Sequence, residues 1–105
     1  MNWITVPYNS NQSYIVQESA IVDVIQNALD NTKYVKSNLS NMRLSFDEDH
    51  SNVQIYIDVK IRGPKDKEID PYAIIKELTF KIEENVKTLI DKKPKNVQVV
   101  LLDIY

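Results

Sequence analysis

The amino-acid sequence predicts an α+β fold: a two-layer sandwich with a mostly antiparallel sheet and two helices on one face, in the order β-α-β-β-α-β. Three observations carry that expectation. Residues 53–62, "VQIYIDVKIR", alternate strictly between branched apolar and polar side chains, as a strand with one buried face requires. Residues 17–31 and 71–90 repeat apolar residues at spacings of three and four, the period of an amphipathic helix. The closing run "NVQVVLLDIY" is rich in β-branched residues. A chain of 105 residues fits one domain, 1–105.

Each element has a local reason. Trp3, Ile4, Thr5 and Val6 favour a strand, but Pro7 interrupts them, so residues 1–13 read as an edge strand or a loosely ordered N-terminal segment. "NSNQS" reads as a turn, and Tyr14, Ile15 and Val16 as a short strand. Ile21, Val24, Ile25, Ala28 and Leu29 then form the apolar stripe of the first helix. Met42, Leu44 and Phe46 alternate with Arg43, Ser45 and Asp47, and the polar "DEDHSN" joins this strand to the next as a hairpin. A symmetric loop sets Phe46 opposite Val53, Leu44 opposite Ile55, Met42 opposite Ile57 and Arg43 opposite Tyr56.

Gly63 and Pro64 stop the long strand, and "KDKEI" makes a charged connection. Asp70 followed by Pro71 is a helix start: the carboxylate can accept from a free backbone N–H, and proline loses a donor that had no partner there. Ile75, Leu78, Ile82, Val86 and Leu89 line the second helix, flanked by Ile74 and Ile90, and Pro94 ends it. The last segment does not alternate cleanly. Val97, Val99 and Leu101 share one face, and Val100, Leu102 and Ile104 the other. A row exposed on either side is a contact patch, to be covered by the Trp3 to Tyr8 segment or by another copy of the chain.

Composition narrows the chemistry. There is no cysteine, which removes disulfides, zinc knuckles and thiol nucleophiles together. A formal charge of −2 and a pI near 5.3 argue against a general nucleic-acid binder, which needs a basic stripe. One glycine cannot build a phosphate-cradling loop. His50, the single histidine, sits beside Asp47, Glu48 and Asp49, but the run lacks the glycine and distal glutamate of a calcium loop and reads as a solvated turn. Glu83 and Glu84 are adjacent on a helix and point about 100 degrees apart, so they cannot flank one bond. An RNA-reading sheet would carry two or three outward aromatics, and the central strands offer Tyr56 beside Arg43. No run approaches the ~20 apolar residues of a membrane-spanning helix, and "MNWITVPYNSNQ" is unlike a secretory signal, so a cytoplasmic location is expected. Catalytic, cofactor-binding and metal-binding residues are expected to be absent, as is a small-molecule substrate. The candidate interaction surface is Arg43, Tyr56, Val100, Leu102 and Ile104.

Three blocks resemble the alkaline shock protein family of Gram-positive bacteria and their wall-less relatives. They are "YIVQESAIVDVIQNALDNTKYV" (14–35), "VQIYIDVKI" (53–61), and "IDPYAIIKELTFKIEENVKTLI" with "KNVQVVLLDI" (69–90 and 95–104). Where that family usually carries glycines, this chain has Ser13, Tyr34 and Pro94. The resemblance implies a non-enzymatic cytoplasmic interaction protein of cell-envelope or lipid homeostasis, acting through self-association or a membrane-bound protein partner. It supplies no catalytic residues. The alternative expectation is an RNA- or ribosome-associated α+β binding module.

Overall fold

A computed structural model describes residues 2–37, 41–63 and 70–105. The fold is α+β. Its elements are β1 (Trp3–Asn9), β2 (Gln12–Gln17), α1 (Glu18–Asp30), β3 (Val35–Lys36), β4 (Met42–Phe46), β5 (Val53–Ile61), α2 (Pro71–Ile90) and β6 (Asn96–Ile104). The "KDKEI" connection and Pro64 lie outside the described residues.

β5 organises the molecule. Val53, Ile55, Ile57, Val59 and Ile61 are all fully buried, each worth about 1.5–3 kcal/mol of transfer free energy. Val53, Ile55, Ile57 and Val59 share one core cluster with Ile21, Ile25, Ala28 and Leu29 of α1 and Leu78, Ile82, Val86 and Ile90 of α2, so both helices cover the same face. The four buried residues of α2 are spaced by four, and Ile90 rather than Leu89 completes the stripe. α2 begins as its sequence dictates: Asp70 Oδ1 accepts from the backbone N–H of Tyr72 at 3.0 Å and of Ala73 at 3.3 Å, with Pro71 in the first turn.

On one side, β5 pairs antiparallel with β4 over residues 53–57 and with the two-residue β3 at Lys60 and Ile61. The β4 register places Phe46 opposite Val53, Leu44 opposite Ile55 and Met42 opposite Ile57, which keeps every apolar pair on the helix side. On its other side β5 pairs parallel with β6, joined through α2. β6 is therefore an edge strand rather than a central one covered on both faces.

Of the two expectations for the N-terminal segment, an edge strand or a loosely ordered stretch, the structure takes the strand. β1 and β2 form an antiparallel hairpin, with the turn at Ser10 and Asn11 and the polar Gln12 and Ser13 already in the second strand. Pro7 is tolerated because its nitrogen points away from β2: the Thr5 N–H, two residues earlier on the same side, goes to the His50 carbonyl, so no β1–β2 bond is lost at Pro7. The hairpin's base is part of the core, with Ile4, Val6 and Val16 buried. It does not fold across β6. Two tethers hold it at the opposite end: Thr5 N–H donates to the His50 carbonyl at 2.8 Å, and the Tyr14 hydroxyl to the Leu89 carbonyl at 3.3 Å. The projecting hairpin helps explain extents of 55 × 22 × 18 Å and a radius of gyration of 15.1 Å, against about 13 Å for a rounded chain of this length.

Candidate functional site

The outer face of the sheet, away from the helices, is built row by row. Arg43 on β4 stands opposite Tyr56 on β5, which neighbours Gln98 on β6. The row on one side is Ser45, Gln54 and Asn96, and on the other Asp58 sits beside Val100. The Tyr56 hydroxyl donates to Gln54 Oε1 at 2.8 Å, which turns the phenol along its own strand. Arg43, Leu44, Ser45 and Tyr56 line a shallow depression of about 350 Å³. The pairing of Arg43 with Tyr56 is as the alternation predicts, and Tyr56 is the one aromatic among the paired outer-face positions of β4, β5 and β6.

Val100, Leu102 and Ile104 do not form one outward row. The β5–β6 register runs Ile55 to Val97, Ile57 to Val99 and Val59 to Leu101, then jumps so that Lys60 faces Asp103 and Ile61 faces Ile104. Leu102 is the extra, unpaired residue of a β-bulge. Past it the alternation inverts, so Ile104 lies on the helix side with Ile61, Val100 stays on the outer face, and Leu102 is left at the bulge. The physical reason is Asp103. In an unbroken strand it would share the face of Val97, Val99 and Leu101 and set a carboxylate against Ile61, a costly burial. The bulge carries it to the outer face beside Lys60, where its Oδ1 accepts from the Ile104 N–H at 2.9 Å.

The unalternating run is thus alternating with one residue inserted, and its apolar surplus is directed to the sheet's margin. Leu102 is 52%, Ile104 42% and Tyr105 56% exposed, beside a strand edge that has no partner among the described residues. Gly63 belongs to the same margin: its N–H donates to the Tyr105 carbonyl, and a Cβ there would come within 2.9 Å of Ile104 Cγ2.

The polar loop before β5 is not merely solvated. His50, at φ 59°, stacks its ring on Trp3 with centroids 3.8 Å apart and planes 7° from parallel, and its Nδ1 lies 3.2 Å from the Trp3 carbonyl. The neighbouring acids are also engaged. Asp47 meets Lys95 Nζ at 3.3 Å. Asp49 accepts from the Ser51 hydroxyl at 2.6 Å and from its N–H at 3.1 Å, and these bonds, the hydroxyl's first, hold its carboxyl below the ordinary value. The loop thereby pins the N-terminal hairpin. Only the lone Trp and lone His of the chain hinted at this, and composition carries no signal for their stacking.

The described residues also line two further concavities. One of about 490 Å³ lies where the end of α1 meets the first half of α2, lined by residues including Thr32, Tyr34, Asp70, Glu77 and Lys81. The other, about 290 Å³, lies on the outer face where β3, β5 and the end of β6 converge. Among the described residues no helix is long and apolar enough to cross a membrane. No protein-family model matches the chain, and neither a curated protein nor a solved structure matches it.

Proposed function

We propose that the protein is a non-enzymatic interaction protein that self-associates through the free edge of β6. The observation that carries this reading is the edge itself: nine residues long, free of proline, with Asp103 as its one charge and Leu102, Ile104 and Tyr105 exposed beside it. Monomeric proteins blunt such edges with lysine, proline or a covering loop, because unpaired N–H and C=O groups template pairing with another strand. A strand edge meets its own copy about a two-fold axis with the same groups on both sides, so one surface suffices. Arg43 and Tyr56, on β4 and β5, lie across the sheet from that edge and outside this contact. The resemblance to alkaline shock proteins points to the same class of action, a cytoplasmic protein in envelope or lipid homeostasis that reaches the membrane through a protein partner.

Size-exclusion chromatography with light scattering tests it. The full chain is expected to show the mass of a dimer at high concentration, and Leu102→Lys to shift it toward monomer without lowering the thermal midpoint. A strict monomer at every concentration would overturn the reading. Binding of RNA that weakens steeply with salt would transfer support to the nucleic-acid alternative.

A further inference from the structure

At the junction of β3 and β5 the outer face carries a like-charge pair. Lys36 stands directly opposite Lys60 in antiparallel register. Opposed like charges destabilise a sheet unless something neutralises them. Asp103, next to Lys60 on β6, is placed to do so, but its Oδ1 is turned back onto the Ile104 N–H. Asp58, two residues before Lys60 on the same face, is the other nearby acid. Among the described residues the ion pairs are Lys81 with Glu77, Lys93 with Glu83 and Lys95 with Asp47, so no carboxylate of a described residue lies within 4.0 Å of the Lys36 or Lys60 ammonium.

Both lysines line the 290 Å³ concavity together with Ser37, Asn41, Asp103 and Tyr105. Its volume is at the small end of ligand sites. Asn41 carries a neutral amide donor, while Ser37 donates its own hydroxyl to the Asp58 carbonyl at 3.0 Å and so fixes one wall. We propose that this concavity binds a small phosphate-bearing anion, whose oxygens bridge Lys36 and Lys60. Phosphate suits the set better than a carboxylate because its three acceptor oxygens can reach both lysines and a neutral donor at once, while Asp103, the carboxylate in the lining, is bonded to the Ile104 N–H. The site shares Asp103 and Tyr105 with the end of β6, but Lys36 and Lys60 lie on β3 and β5, so substitutions at the two lysines test it apart from self-association.

Amide NMR of the full chain, titrated with sodium phosphate against sodium chloride at matched ionic strength, tests the site. Phosphate is expected to produce saturable shifts at Lys36, Ser37, Asn41 and Lys60 that chloride does not reproduce. Lys60→Gln and Lys36→Gln are each expected to weaken the apparent affinity by about tenfold. Both side chains are exposed, and an unchanged thermal midpoint confirms that the variants fold. Shifts that chloride matches, or an affinity that neither substitution changes, would overturn the proposal.

Discussion

Asp91 closes α2 with φ 60° and donates its backbone N–H to the Lys87 carbonyl at 2.8 Å. Two penalties meet at this residue. The left-handed conformation crowds a Cβ against the neighbouring carbonyl, and the carboxylate sits at the negative end of a 20-residue helix. Glycine removes both, at the cost of extra freedom in the unfolded chain. Asp91→Gly is therefore expected to stabilise the protein by about 0.5–1 kcal/mol, a rise of roughly 2–5 °C in thermal midpoint. Asp91→Ala, which removes the charge but keeps the crowding, should recover less than half of that gain in the same melt. If alanine matched glycine, the charge alone would be at fault. Tyr34 shares the geometry, with φ 69° and its carbonyl accepting from the Arg62 N–H at 2.8 Å.

At the scale of elements, what was legible followed from periodicity, and what was not involved a break in it. The β4–β5 register could be read because both strands alternate and the loop between them is symmetric, so one pairing alone keeps Leu44, Phe46 and Met42 on the side of Ile55. The start of α2 could be read because Asp70 and Pro71 act through local bonds. β3 is two residues long, below any pattern. The β1–β2 hairpin is partly legible, as a strand, a turn and a short strand, but Pro7 leaves the order of the first strand open, since the sequence does not show that its nitrogen faces away from β2. The candidate site suffered most from the bulge in β6, since one inserted residue reverses the face of everything after it. Arg43 and Tyr56 were paired correctly, while Val100, Leu102 and Ile104 were grouped by an alternation that stops at Leu102. The bulge makes a sharp contrast testable. Leu102→Ser removes a half-exposed side chain and should change stability by less than about 1 kcal/mol. Deleting Leu102 must either turn Asp103 toward Ile61 or unpair the end of β6, and is expected to cost about 2–4 kcal/mol in urea denaturation. Equal costs for the two changes would mean that the bulge has no structural role.

The whole molecule is a core with a projecting arm, and the two ends of that arm differ in what holds them. At its base Ile4 and Val6 are essentially fully buried and Val16 nearly so, the Thr5 N–H bonds the His50 carbonyl, and Trp3 stacks on His50. Opening this part exposes apolar surface belonging to the core, so it should open only when the core does. Beyond Pro7, which has no N–H, the register shifts, and the rings of Tyr8 and Tyr14, 6.0 Å apart, are 57% and 40% exposed. Nothing buried resists opening there. Local opening free energies range from near zero at such tips to the global value in the core, so hydrogen exchange should divide the hairpin within its own length. The amides of Ile4, Thr5 and Val6 are expected to exchange as slowly as those of Ile55 and Ile57 on β5, and those of Tyr8 to Gln12 orders of magnitude faster. Uniform protection along the hairpin would mean that another surface covers the tip, and uniformly fast exchange that the arm is not part of the core. The same measurement at increasing protein concentration reports on the opposite margin. Pairing of β6 with a second copy would slow the β6 amides that face its free edge, and the hairpin tip would stay unchanged.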